Sequence, residues 1–259
     1  MPLMQQLLLK VPSFCLGLIV IGGAIAFSIL GLLLVRRLFS HHQLRAHHDV
    51  ADPILGALAA IYAVLIAFVV VTVWQNFDKS NANVQQEANC LADIYRDSEA
   101  FAPDFHQKAS DLLHEYRQAI IDNEWKTIAR GEMSPEVDAL MKKIWAIYVI
   151  YRPANSTEQS FFDESVRKLN LLQELRRQRL MDSRTGIEPL LWFILILGGL
   201  STISFTFFFG AENLNAQFAM VTLLAITISL ILFTIMSLDF PFTGKISISS
   251  APFQQILLD

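Results

Sequence analysis

Four histidines, His41, His42, His47 and His48, lie close together with Asp49 and Asp52 beside them. Imidazole and carboxylate groups are common ligands of divalent transition metals. The two histidine pairs lack a spacing that closes a tetrahedral site, and Asp52-Pro53 reads instead as an N-cap followed by a first-turn proline. A solvated loop is expected here, with no bound metal. The functional alternative is a pH-sensitive mouth, because imidazole titrates near neutral pH.

Asp239 stands among apolar neighbours in Leu238-Asp239-Phe240-Pro241-Phe242. A carboxylate in such company needs a partner, so a structural ion pair with Lys79, Arg177 or Arg184 is expected, and a ligand or ion site is the alternative. Glu87, Glu124 beside Trp125, and Tyr95-Arg96 read the same way, as ion pairs and hydrogen bonds between packed helices. No G-x-S-x-G, phosphate loop, H-E-x-x-H or C-x-x-C pattern occurs, so neither enzymatic activity nor a cofactor is expected. A lipid-modifying enzyme would rest on Asp239 and the histidines alone.

The elements that must hold these residues are legible in where the charges fall. Of 259 residues 53% are hydrophobic, and 34 of the 44 charged side chains lie between Asp78 and Glu188. Four windows, 11–35, 53–77, 189–211 and 213–238, carry no Asp, Glu, Lys or Arg. A hydrocarbon core of about 30 Å needs about 20 apolar residues at roughly 1.5 Å each, so each window can cross a bilayer. Ala24-Ile25-Ala26 has the small-x-small look of a cleavage site, but the apolar run continues to Arg36 and Lys10 is the sole basic residue before it. A retained span is therefore expected.

The spans hold no ionisable residue at mid-membrane, which disfavours a coupled transporter. Their hydroxyls, Ser201, Thr202, Ser204 and Thr206 in the third and Thr222, Thr227, Ser229 and Thr234 in the fourth, suit bonds to backbone and neighbouring helices better than a pore lining. Counting Lys10, Lys79, Arg176, Arg177, Arg179, Arg184 and Lys245 against Arg36, Arg37 and Arg45 puts the inserted domain in the cytoplasm. Trp74 and Trp192 fall at one interface. Cys15 and Cys90 are too differently placed to pair, and the net charge of −4 offers no basic surface for nucleic acid.

The insert, 78–188, reads as helical throughout. The second span continues with Val84, Ala88, Leu91 and Tyr95 at helical spacing. Pro103 suits a first turn, Ser134-Pro135 an N-cap and N1, and Ser156 with Gln159 a capping box. Phe162, Val166, Leu169, Leu172 and Leu175 form the stripe of the last helix, followed by Arg176, Arg177 and Arg179. The tail 245–250 alternates and is extended or a short strand. Asn155-Ser156-Thr157 is formally a glycosylation sequon, but capping accounts for its serine. The fold class is an all-α integral membrane protein: four transmembrane helices with a helical extramembrane domain between the second and third, the third and fourth spans and a C-terminal tail filling 189–259.

Several stretches resemble a bacterial membrane family of unknown function called bestrophin-like. They are Gly56 with Tyr62-Ala63-Val64-Leu65-Ile66-Ala67-Phe68-Val69-Val70 and Trp74, then Glu87-Ala88, Tyr95-Arg96, Tyr116, Glu124-Trp125, Arg176-Arg177-Gln178-Arg179-Leu180, Pro189 with Trp192, and Leu238-Asp239-Phe240-Pro241-Phe242-Thr243-Gly244, with Ser249 and Pro252-Phe253 beyond. The likeness covers nearly the whole chain and departs at Phe240, where the family pattern has Arg. Bestrophins proper, more distantly similar, are pentameric anion channels lined by the second transmembrane helix. The resemblance thus implies a homo-oligomer in the bacterial inner membrane, with lipid, further copies of itself and small inorganic anions as partners. It implies a pore face of Phe68, Thr72, Gln75 and Lys79, a hydrophobic constriction leading to a cationic mouth. The alternative is a membrane-anchored scaffold or regulatory protein acting through its helical domain.

Overall fold

A computed structural model describes residues 3–39, 48–209 and 213–256, and all regular structure among them is helical. In chain order the helices are α1 (Leu3–Lys10), α2 (Ser13–Leu38), α3 (His48–Ser98), α4 (Pro103–Ala119), α5 (Trp125–Ile128), α6 (Pro135–Ile150), α7 (Ser156–Arg184), α8 (Pro189–Thr206), α9 (Leu214–Leu238) and α10 (Ala251–Gln255). A π-helical turn, Ile120–Glu124, joins α4 to α5. His41, His42, His47 and Arg45 lie outside the described residues, as does Glu212.

The chain divides into two compact units. The first comprises Lys10–Gln75 and Gly186–Asp239 and contains the apolar helices. Within it α2 packs along α9, and α8 lies against both. Leu16, Leu32, Leu195, Val221 and Ala225 are buried, while Phe14, Leu18, Ile19, Leu30, Phe193 and Leu223 point outward. In water that exposure would be costly, but hydrocarbon is as apolar as leucine, so packing here needs close approach more than burial. Glycines supply it: a Cβ at Gly17 would come within 3.2 Å of the Phe233 ring, and one at Gly198 within 2.7 Å of the Tyr62 ring. Among the described residues four helices are long and apolar enough to cross a membrane, and this is a membrane protein.

The second unit comprises Met1–Leu9, Asn76–Thr185 and Phe240–Asp259. Its core is a helical bundle: Val84, Ala88, Leu91 and Ile94 of α3 meet Leu113 and Tyr116 of α4, Val137, Ile144 and Tyr148 of α6, and Leu169 and Leu172 of α7, with Phe253 of α10 fully enclosed. Gln5 of α1 is buried as well, its amide donating to the Ser183 carbonyl at 3.0 Å.

Several boundaries differ from the sequence-based expectation. Asp52-Pro53 does not cap the helix of the second span: α3 starts at His48, with the proline inside it. The cap of α7 is Asn155 rather than Ser156; its side chain accepts from the Glu158 amide at 2.9 Å, and Glu158 in turn accepts from the Ala154 amide at 3.0 Å. The cap thus sits one residue earlier, because Asn accepts at an N-cap as well as Ser does, and the carboxylate three residues on bonds the amide just before the cap. The third apolar helix ends at Thr206, and of the two expectations for 245–250, a short strand or extended chain, the strand does not form.

Candidate functional site

The exposed face of α3 follows from how its other face is used. Tyr62, Ile66, Val69 and Val73, at spacings of four, three and four, are buried. The Tyr62 hydroxyl donates to the Leu195 carbonyl at 2.8 Å, and the absence of side chains at Gly198 and Gly199 admits its ring. With that side committed, Ile61, Val64, Phe68, Thr72, Gln75 and Lys79 are left exposed. Phe68 is 71% exposed. Thr72 returns its hydroxyl to the Phe68 carbonyl at 2.8 Å, which leaves its methyl group and Gln75 as the outward surface of the middle of the stripe. Lys79 makes no ion pair among the described residues. In the first unit α3 therefore presents an aromatic ring, a threonine and an amide on one face, and Lys79 is exposed on the same helix at the start of the second unit.

The residues expected to form structural ion pairs are distributed differently from that expectation. Asp239 has no cationic partner among the described residues: it caps α9, accepting from the Ile187 amide at 2.7 Å and the Trp192 indole at 3.1 Å. Two N–H donors satisfy the carboxylate where a long cationic side chain was expected. Arg184 is not paired with a carboxylate either. Its Nε donates to the Gly131 carbonyl at 2.6 Å, at a turn that Gly131 enters with φ of 72°. Arg177 pairs with Glu174 one turn before it, and Arg96 with Asp93, both at the surface.

Glu87 lies in a buried cluster on which the second unit is centred. Arg179 clamps it with two bonds of 2.7 and 2.9 Å, and reaches Glu124 at 2.7 Å with the same Nη2. Arg176 holds Glu124 from the other side at 2.6 and 3.0 Å. The Trp125 ring lies 5.0 Å from the Arg179 guanidinium carbon. Two cations and two anions balance, as a buried ionic cluster requires. Burial pushes the Glu87 carboxyl up, against the charge of Arg179. Burial acts on Glu124 in the same direction, but hydrogen bonds from Arg176 and the charge of Arg179 outweigh it and hold that carboxyl below its ordinary range.

In the sequence Arg176 and Arg179 trail the α7 stripe as basic residues. Their burial was nonetheless legible: Leu169, Leu172, Arg176, Arg179 and Ser183 continue one face at spacings of three and four, and all are buried. Glu124 is turned inward by the π-helical turn, for which its sequence carries no signal we recognise.

The arrangement defines a class, a helical membrane protein with four apolar spans and a helical unit inserted after the second. Residues 22–253 match the sequence model of the Bestrophin-like domain. The chain belongs to the Bestrophin-like family. Two crystal structures of a bacterial bestrophin homologue from Klebsiella pneumoniae, each a point mutant, superpose with a TM-score of 0.70. One is 13% identical, covering 90% of this chain and 96% of that one; the other is 12% identical, covering 92% and 95%. A third structure, described as a membrane protein, gives 0.68 at 11% identity over 93% of this chain and 95% of its own. At such identities the likeness is one of fold. No curated protein matches the sequence.

Proposed function

We propose that the protein is a homo-oligomeric membrane channel, permeable to small anions, with copies of α3 around a central axis and the helical unit in the cytoplasm of a bacterial inner membrane. The observation that carries this reading is the exposed face of α3, Phe68, Thr72, Gln75 and Lys79, on a helix whose opposite face is fully occupied. A ring of such faces offers an apolar constriction at Phe68, a polar vestibule at Thr72 and Gln75, and a ring of ammonium groups at Lys79 that attracts anions. The absence of ionisable side chains from the middle of the spans supports passive permeation over coupled transport.

Two measurements test it. The mass of the detergent-solubilised particle, corrected for detergent, is expected near five times 29.2 kDa. Reconstituted protein is expected to pass chloride, with Phe68→Ala raising flux and Lys79→Glu reversing the preference toward cations. A monomeric particle, or intact oligomers that pass no ions, would overturn the reading and turn attention to partners of the helical unit.

A further inference from the structure

Gln5 of α1 fastens together three further stretches of the helical unit. Its amide nitrogen lies 3.3 Å from the Ala129 carbonyl, 3.0 Å from the Ser183 carbonyl and 3.4 Å from the Thr243 hydroxyl. Thr243 donates in turn to the Ala129 carbonyl at 2.9 Å, and Arg184 donates through Nε to the Gly131 carbonyl at 2.6 Å. Three of the four stretches run directly into spans. α2 starts at Ser13, eight residues after Gln5; α8 starts at Pro189, six after Ser183; and α9 ends at Leu238, five before Thr243. The corner around Gln5 is thus where the chain passes between this unit and the bilayer.

The surface of the corner combines two chemistries. Leu7 and Leu9 of α1 and Ile246 of the tail are 37%, 40% and 51% exposed although they lie outside the spans. Arg130, Arg184 and Lys245 are exposed on the same stretches. Acids do little to neutralise them: Glu132 meets Arg130 at 3.5 Å with both side chains largely in solvent, and Asp182 is occupied by Ser80 and Gln178, accepting from each at 2.8 Å. Arg184 is held most firmly. A Cβ at Gly131 would come within 3.0 Å of its Cγ, so its stem packs on that turn, and the Gly131 carbonyl takes its Nε. Its two terminal nitrogens have no partner among the described residues. A guanidinium anchored in this way presents paired N–H groups that match two oxygens of a phosphate.

We propose that this corner binds the headgroup phosphate of an anionic phospholipid: Arg184 holds the phosphate, Arg130 and Lys245 supply positive charge around it, and Leu7, Leu9 and Ile246 meet the acyl chains. Exposed aliphatic side chains beside basic ones, on segments that lead into spans, have the composition of an interfacial anchor. A soluble anion would use the cations but leave the leucines in water. The site depends neither on ion conduction nor on which side of the membrane the helical unit occupies.

The test uses the full-length protein in mild detergent, with its melting temperature followed as short-chain phosphatidylglycerol is added. Phosphatidylglycerol is expected to raise the melting temperature saturably, whereas phosphatidylcholine of the same chain length and inorganic phosphate leave it unchanged. Arg184→Gln, and separately Arg130→Gln combined with Lys245→Gln, are expected to shift the phosphatidylglycerol midpoint to higher concentration by about fivefold per charge removed. Equal stabilisation by phosphatidylcholine would overturn the proposal, since no charge would then be selecting the lipid. Equal stabilisation by inorganic phosphate would overturn it in favour of a site for soluble anions. Midpoints unchanged in the variants would put the lipid elsewhere on the protein and overturn it too. If Arg184→Gln does not fold, the double variant decides by the same criterion.

Discussion

Arg179 is the residue on which the helical unit is most dependent. It is fully buried and is the common partner of Glu87 and Glu124, so truncating it leaves the Glu87 carboxylate with no cation against it. Removing one member of a buried ionic group costs about 3–5 kcal/mol. Arg179→Ala is expected to lose about that much in chemical denaturation, and Arg179→Lys to recover only part, because an ammonium cannot bond two carboxylates in the same fork geometry. Acid acts on the same cluster through Glu124. Its carboxyl is held below the ordinary range, so its contribution is present above that range and is lost as pH falls through the depressed value. Thermal melting of the purified protein is therefore expected to fall steeply in acid, and Glu124→Gln to flatten that limb while lowering stability at neutral pH.

At the scale of elements, much was readable because a single periodicity governs each helix. Val84, Ala88 and Leu91 marked the continuation of the second span, and Pro103 and Ser134-Pro135 marked the starts of α4 and α6, since a proline tolerated only in a first turn announces the turn. The misreadings share a cause. Ser156 for Asn155, and Pro53 for His48, are boundaries, where neighbouring residues compete for the same cap. Asp239 and Arg184 found backbone and indole partners, and a sequence carries no mark of which carbonyl or N–H will lie within reach. Asn155→Ala is expected to cost about 1 kcal/mol and to raise hydrogen exchange in the first turn of α7 only. In the apolar unit, Gly198→Val places carbon where the Tyr62 ring lies, and is expected to cost about 1–3 kcal/mol and to lower the melting temperature of the solubilised protein.

Across the whole molecule, the charged side chains separate into those that carry the architecture and those that keep it hydrated. Exposed pairs such as Lys142 with Asp138 and Arg177 with Glu174 contribute little and are screened by salt, whereas the cluster around Arg179 is out of reach of counterions. Raising ionic strength is thus expected to leave the melting temperature of the helical unit nearly unchanged, which a salt titration followed by circular dichroism would check. This division was only half visible beforehand: the uncharged windows located the spans at once, but within 78–188 only the spacing of Arg176 and Arg179 along the α7 stripe marked buried charges, and Glu87 and Glu124 carried no such mark.

The helical unit is assembled from three separated stretches of chain: Gln5 from before the first span, the long insert, and Phe253 from beyond the last. During translation its bundle emerges well before α8 and α9 have entered the bilayer, yet the pocket around Trp125 that Phe242 and Phe253 fill stays open until the ribosome has passed both. Completion of this unit therefore waits until the last span has been synthesised. A chain cut short before Phe242 would keep that aromatic socket empty, so the last residues to leave the ribosome are among those that close the core of a unit begun before the first span.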